Sequence, residues 1–413
     1  PHLFSSAASD VYKRQAIDDM NSSSSNHQTS WTSNQERTFT VDTPGDYTYY
    51  KLLITQASGS DTYLGLREVD LIGVDYTPIN DFNLMVVLDE NNATFKAAGF
   101  RHSLSLANGE DLRFQSSSGV ELKYEIASWN QSGKSVVWLS VPSMVRNDKI
   151  IMRWGNTAAA SPSYTADGSA WSSYLGVYHL DQAQGATAVD SGPHDNHAAV
   201  ADSSSVPNYD GTSIAGGAYS FAVNAKNGFK ATNVSGDLTL DNFSVGTWIK
   251  GIQDDAQNWC GYWAMGTNSG GDLRLVANDV NPPRAFIEGG DDNNGIWAYT
   301  LDTTPTKMQA GIWKHVYFTS SNGKAKIYLN GVFQESKDMQ DSSKVTEIML
   351  GRRRENNAAG SVQDEMTFHK VSRHERWIDT VYKSQVPGNS FVNFANLAGP
   401  PYFEDTRDEV SAK

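Results

Sequence analysis

The 413 residues predict an all-β fold, a series of β-sandwiches in tandem, and three observations carry that prediction. Short alternations of apolar and polar residues recur about every 8 to 12 positions between turns rich in Gly, Asn, Asp and Pro, as sandwich strands do. Glycine (34 residues) and aromatics (11%) are plentiful while charged residues stop at 19%, below the roughly 25% usual in soluble domains. Only one stretch, 375–384 (ERWIDTVYKS), carries a helical pattern. The chain is also too long for one core, since single cores stop growing at roughly 250–300 residues.

The elements follow in order. Residues 1–30 are expected to be disordered or artefactual: 5–15 (SSAASDVYKRQ) resembles a translated sequencing-adapter scar, and 16–30 is Ser-, Asn- and Asp-rich without periodicity. Strands are predicted at 37–41 (RTFTV), 47–54 (YTYYKLLI) and 64–72 (LGLREVDLI), a 31–76 unit too small to bury its own core, so that further strands are expected upstream. A second unit, 80–157, has strands at 84–88, 112–115, 122–127, 135–141 and 149–154. Within LKYEI at 122–126 the apolar residues face one way and Lys123 and Glu125 the other, the pattern of a half-buried strand. The Ala-, Ser-, Pro- and Gly-rich 158–173 reads as a linker. The third unit, 174–397, offers strands at 219–223, 243–250, 261–265, 272–277, 284–287, 315–320, 324–329 and 348–351, enough for two stacked sheets. The charged, Pro-containing 398–413 is expected to lead into a further module.

Composition excludes several functions. With 33 Lys and Arg against 47 Asp and Glu the net charge is −14, and the one dense basic run is Arg352-Arg353-Arg354, so a nucleic-acid partner is not expected. A single cysteine, Cys260, can form neither an intrachain disulfide nor a Cys-based zinc site; beside Trp259 and Gly261 it reads as a small buried apolar group. The best apolar run, 84–88, is far short of the roughly 18–20 residues of a membrane-spanning helix.

Motifs in the third unit resemble the concanavalin A-like lectin/glucanase family in its laminin-G-like jellyroll branch: GVYHL at 176–180 with DSG at 190–192, FSVGTW at 243–248, WKHVYF at 313–318, IYLNG at 327–331 and Asp364-Glu365. The second unit resembles the bacterial domain of unknown function 2341, through GEDLRF at 109–114, LKYEI with Trp129, VVW at 136–138 and IMRWGN at 151–156. The first is similar to the last strands of a discoidin-type galactose-binding module, through YKLLI at 50–54 and LREVDL at 66–71.

Because related glucanases use Glu-x-Asp-x-x-Glu, paired carboxylates are the first thing to seek. Glu68-Val-Asp70 is followed by Gly73 where the second Glu should stand. Glu121 and Glu125 share a strand face roughly 13 Å apart, whereas retaining chemistry needs about 5–5.5 Å. They read as a solvated face with Lys123 between them, and no catalytic residue is expected. His194 and His197 read as loop histidines rather than a transition-metal pair, and Asn330-Gly331 as a hairpin turn. The resemblance implies a structural calcium at Asp190 and Asp364; equally open is that Asp190 shapes its turn and Asp364 caps a strand pair.

Binding is the expected role. Trp259, Trp263 and Trp297 flank polar turns, and Trp297 follows DDNNG at 291–295, so Trp297, Asp291 and Asn293 are the candidate carbohydrate contacts; the competing reading places these tryptophans in the core. The resemblance implies a non-catalytic adhesion or recognition segment of an exported, multi-modular bacterial protein, extracellular or at the cell surface, with a glycan or a surface protein as partner. Two other settings fit the same modules: the substrate-targeting part of a larger extracellular glycoside hydrolase or protease, and the periplasmic part of an ExbB-like proton-channel protein.

Overall fold

The computed structural model describes residues 2–6, 14–19, 49–53, 77–252, 260–277, 285–290, 310–339, 341–354, 358–389 and 391–395. The chain divides into two compact units, 1–75 and 76–413. In the first, β1 (His2–Ser6) pairs antiparallel with β2 (Arg14–Asp19) on one side and β3 (Tyr49–Leu53) on the other. β3 falls on a predicted strand. β1 and β2 lie within 1–30, and both find backbone partners; the rest of 1–30 lies outside the described residues. The remainder of the discoidin-like 31–76 and all of 398–413 lie outside the described residues.

The second unit opens with two three-stranded sheets, β4 (Ile79–Asp89), β8 and β7 in one, β6, β5 and β9 in the other. Their strands are β5 (Arg113–Ser116), β6 (Glu121–Leu122), β7 (Tyr124–Ser128), β8 (Lys134–Met144) and β9 (Ile150–Arg153), with a short helix α1 (Ala93–Ala97) after β4. Alternation decides which residues meet. Phe82, Leu84, Val86 and Leu88 of β4 join Tyr124, Val137 and Leu139 in the core between the sheets, with Phe95, Phe114 and Leu122. The intervening positions cross the sheet as a row, Met85 opposite Trp138 and Trp138 opposite Glu125. That row also is covered: Met85 and Trp138 cluster with Ala170, Trp171, Tyr174, Val177 and Ala215. The stretch expected to be a linker therefore packs. It forms two 3-10 turns, and its Trp171 is buried because an aromatic of that size inserts beneath the sheet.

The larger sandwich follows: β10 (Tyr174–Tyr178), β11 (Ala199–Val200), β12 (Asn208–Asp210), β13 (Ala218–Phe221), β14 (Phe229–Thr232), β15 (Asn242–Gly251), β16 (Cys260–Thr267), β17 (Asp272–Ala277), β18 (Ala285–Gly290), β19 (Trp313–Ser321), β20 (Lys324–Leu329), β21 (Val332–Asp338), β22 (Val345–Leu350) and β23 (Ser361–His369). One sheet runs β12-β13-β23-β15-β19-β20-β21, with β10 beside β23; the other runs β11-β14-β22-β16-β17-β18. Between them lies a core that includes Tyr219, Phe221, Val245, Ile249, Trp263, Phe318, Ile348 and Phe368. The expected hairpin turn is there: Asn330 (φ 52°) and Gly331 (φ 79°) join β20 to β21 in the left-handed conformation such turns demand. Cys260 is buried, as expected.

The helix α2 (Glu375–Gln385) falls where the sequence predicts it. His374 caps its first turn by accepting from the Trp377 N–H, and Pro387 follows its end. Its buried face, Trp377, Ile378 and Val381, enters the core of the small sandwich together with Tyr317 and Tyr328 of the large one. Phe82 meets Trp377 edge-on at 5.5 Å, and Arg373 reaches Asp81 at 2.7 Å while lying 4.5 Å over the Trp377 ring. The small sandwich and the helix thus cover much of one outer sheet face. Among the described residues no helix is long and apolar enough to cross a membrane.

Candidate functional site

The outer face of the β12–β21 sheet is read row by row. In β19, Val316 and Phe318 enter the core, so Trp313, His315 and Tyr317 stand on the other side. One cross-strand row is Asp364, Trp248 and His315. It is sealed: Trp248 donates its Nε1–H to Gln385 of α2 at 2.7 Å, and Tyr382 packs on both rings. The adjacent row is Ser220, Val362, Lys250 and Trp313. Among the described residues the cover ends here, and with Asp210, Thr212 and Ile252 these residues line an open groove of about 410 Å³. The Lys250 ammonium lies 5.1 Å from the centre of the Trp313 ring. Asp210 accepts the Thr212 N–H through one carboxylate oxygen at 2.8 Å. The groove therefore offers a half-exposed indole beside a cation at one end, and a carboxylate and two hydroxyls at the other.

A second constellation lies under the small sandwich. Glu125, on the row with Met85 and Trp138, is turned towards the large sandwich. It accepts hydrogen bonds from Ser191 Oγ (2.7 Å) and Trp171 Nε1 and stands 3.3 Å from His179 Nε2. The other ring nitrogen of His179 meets both Glu365 oxygens, at 2.8 and 3.0 Å. An imidazolium that donates on both sides satisfies this geometry. Burial by itself would lower the His179 pKa, but Glu365 and Glu125 together outweigh it and hold it well above the ordinary 6.5. Burial likewise opposes the Glu125 charge, and His179, Ser191 and Trp171 overcome it, so its carboxyl lies below the ordinary range. Glu365 has φ 50°, a conformation uncommon outside glycine, at the point where β23 passes from pairing with β13 to pairing with β10. The enclosed space beside this network measures about 20 Å³, too small for a sugar, so the network joins the two sandwiches and does not form a ligand pocket.

The candidates named from sequence fall in several places. Trp297, Asp291, Asn293 and Trp259 lie outside the described residues. Trp263 is in the core against Phe318 and Phe368. Asp190 uses one oxygen for the Val177 and Gly192 N–H groups and the other for that of Asn196, all within 2.9 Å. Asp364 accepts from Ile214 and Ala215 through Oδ2, while Oδ1 is buried without a partner. Burial, with Glu365 adjacent, pushes the Asp364 carboxyl well up, towards the protonated form. Asp190, whose two oxygens already accept three N–H groups, has little capacity left for a hard cation, whereas Asp364 Oδ1 is uncommitted. Among the described residues no three His, Cys, Asp or Glu side chains are gathered as a metal site. His197 accepts the Asp190 N–H and His194 meets Lys370, both as loop histidines. Glu121 is exposed, but Glu125 corrects the expected solvated face: three groups of the neighbouring segment converge on it. Polar turns in the sequence point to other tryptophans than Trp313; the signal for Trp313 is its alternation with Val316 and Phe318, which places it on the outer face.

The comparisons with known proteins follow the same division. Residues 223–378 match the concanavalin A-like lectin/glucanases superfamily. Residues 108–192 match the domain of unknown function 2341, in the expected order, and this match runs through 158–173 into the start of the large sandwich. No curated protein matches the chain by sequence. Among solved structures, domain 4 of AbnA, an extracellular GH43 arabinanase from Geobacillus stearothermophilus in complex with arabinotriose, is 17% identical over 51% of this chain and 98% of its own, with a TM-score of 0.40. The binding domain of botulinum neurotoxin serotype G is 15% identical over 51% of this chain and 50% of its own (TM-score 0.38). The serotype D ligand-binding domain in complex with N-acetylneuraminic acid is 15% identical over 52% of each chain (TM-score 0.37). This chain spans about half the length of the two toxin domains.

Proposed function

We propose that the chain is a non-catalytic recognition segment of an exported, multi-modular bacterial protein, and that the groove at Trp313 holds a glycan. The observation that carries this reading is the open row Ser220, Val362, Lys250 and Trp313 beside a sealed one. An indole face suits the C–H face of a sugar ring, and the surrounding hydroxyls, ammonium and carboxylate suit its hydroxyl groups. The superfamily match over 223–378 supports a lectin-type role. The same groove would serve an adhesin or the targeting part of a larger extracellular hydrolase, and the identity of the ligand separates the two.

The test is a glycan-array screen of the whole chain, in calcium and in chelator, followed by titration of any hit with the Trp313→Ala variant. Binding that weakens at least tenfold in the variant, at unchanged melting temperature, is the expected result. A variant that keeps the affinity of the parent overturns the assignment of the groove, and binding confined to a surface protein replaces the glycan.

A further inference from the structure

Among the described residues the groove lining carries one cation and one carboxylate, and the sheet order sets them apart, Lys250 on β15 and Asp210 on the edge strand β12. Lys250 is its one cation, and among the described residues no carboxylate lies within ion-pair distance of it; its ammonium is held over the Trp313 ring at 5.1 Å. A lysine on a sheet surface commonly finds an acidic neighbour, and this chain carries 47 Asp and Glu with which to supply one. The one carboxylate in the lining, Asp210, sits on the far edge strand and already accepts the Thr212 N–H. Register fixes the spacing: Lys250 stands directly opposite Trp313 on one side and Val362 on the other, with its ammonium over the indole, so a sugar that stacks on Trp313 meets that ammonium directly. In a protein of charge −14 the long-range field disfavours anions, so an anionic ligand is retained only where a local cation meets it.

We infer that the groove is specific for acidic saccharides, the sugar stacking on Trp313 with its carboxylate paired to Lys250 and a hydroxyl donating to Asp210. This inference rests on the groove being the glycan site. A neutral sugar would leave the ammonium without a counter-charge, whereas a uronate or sialic-acid unit supplies a carboxylate and a hydroxylated ring in one residue.

The test uses the whole chain against an array of uronate-containing and sialylated oligosaccharides printed beside their carboxyl-reduced counterparts, with calorimetric titration of the strongest pair. The parent protein is expected to prefer the carboxylated member at least tenfold at low salt, the preference shrinking as salt is raised. Lys250→Met, which keeps the aliphatic stem, is expected to bring the two members level, and Lys250→Arg to retain the preference. Equal affinity of the parent for both members overturns the inference, as does a preference that survives Lys250→Met. In either case, loss of binding in Trp313→Ala leaves the glycan site itself standing. No binding to any glycan, or binding untouched by Trp313→Ala, overturns the site and the inference together.

Discussion

The contact between Glu125 and His179 is the sharpest test of how the two sandwiches are joined. Glu125 is 19% exposed at the side chain and His179 2%, so solvent screens the pair little. At 3.3 Å, Coulomb attraction in an effective dielectric of 20 is about 5 kcal/mol, an upper bound from which the cost of removing both charges from water must be subtracted. Truncating one partner of such a pair costs about 3 kcal/mol, and Glu125→Ala also leaves Ser191 and Trp171 without their acceptor. Glu125→Ala and His179→Ala are each expected to destabilise by about 3 kcal/mol in urea melts, with a coupling of about 2 kcal/mol in the double-mutant cycle. The pH dependence follows from the directions of shift. The raised His179 pKa contributes stability that is full below 6.5 and lost as pH rises through the higher folded value. The lowered Glu125 pKa contributes stability that is present above 4.5 and lost as pH falls through the folded value. Stability from this pair is therefore flat only between about pH 4.5 and 6.5 and falls as pH rises from 6.5 to the folded His179 pKa; Glu125→Gln, which removes one of the two carboxylates charging His179, should lower that folded pKa and end the decline at a lower pH. A Glu125→Ala variant within about 0.5 kcal/mol of the parent, or a cycle without coupling, refutes the reasoning.

Three further outcomes are expected. Asp364 binds its proton more tightly in the folded state, which makes stability fall as pH rises from 3.8 to the folded pKa; Asp364→Asn, keeping an acceptor for Ile214 and Ala215, should flatten that slope in melts between pH 4 and 8. An unchanged slope would show that the carboxyl is not held protonated. Chelator should leave the melting temperature within about 1 °C, because both Asp190 oxygens are taken by backbone N–H groups; a fall of several degrees would reveal a bound cation. In β15 a Cβ on Gly246 would stand 2.3 Å from the Tyr317 ring, so Gly246→Ala should cost about 1–3 kcal/mol by overpacking, and a neutral substitution would contradict the packing.

Strands with one face on a core were legible because alternation marks them: 272–277 and 324–329 fall on β17 and β20 to the residue. The central strand β23 was not. Eight of its nine residues, Ser361 to His369, are buried, and they include Gln363, Asp364, Glu365 and His369. One face lies in the large core while the other lies under the small sandwich, so neither shows a solvent-facing period. Glu125 was misread for the same reason, since a charge on alternate positions signals solvent unless a second layer supplies donors, and those donors come from 46 to 66 residues further along the chain. The groove was half legible. Its motif, WKHVYF, was in view, but that Trp313 is open and Trp248 sealed depends on where α2 ends over the sheet, a tertiary fact with no local signature.

That shared cover has a consequence for how the second unit folds. The matches to domain 2341 and to the lectin/glucanase superfamily suggest two modules, yet Tyr317, Tyr328, Trp377, Ile378 and Val381 complete the core of the small sandwich. Met85, Val136 and Trp138 in turn cover Trp171, Tyr174 and Val177. Cutting the chain within 158–173 would expose both surfaces and strand Glu125 and His179 on separate pieces. At roughly 25 cal/mol per Å² of apolar area, five large side chains uncovered on one face amount to several kcal/mol, comparable to the whole stability of a domain. Residues 76–413 should therefore unfold in a single calorimetric transition, while 174–397 expressed alone should bind hydrophobic dyes and melt broadly. Two resolved transitions in the longer piece would mean that the sandwiches are independent, and the groove would then owe its closed wall to a docking contact rather than to the fold.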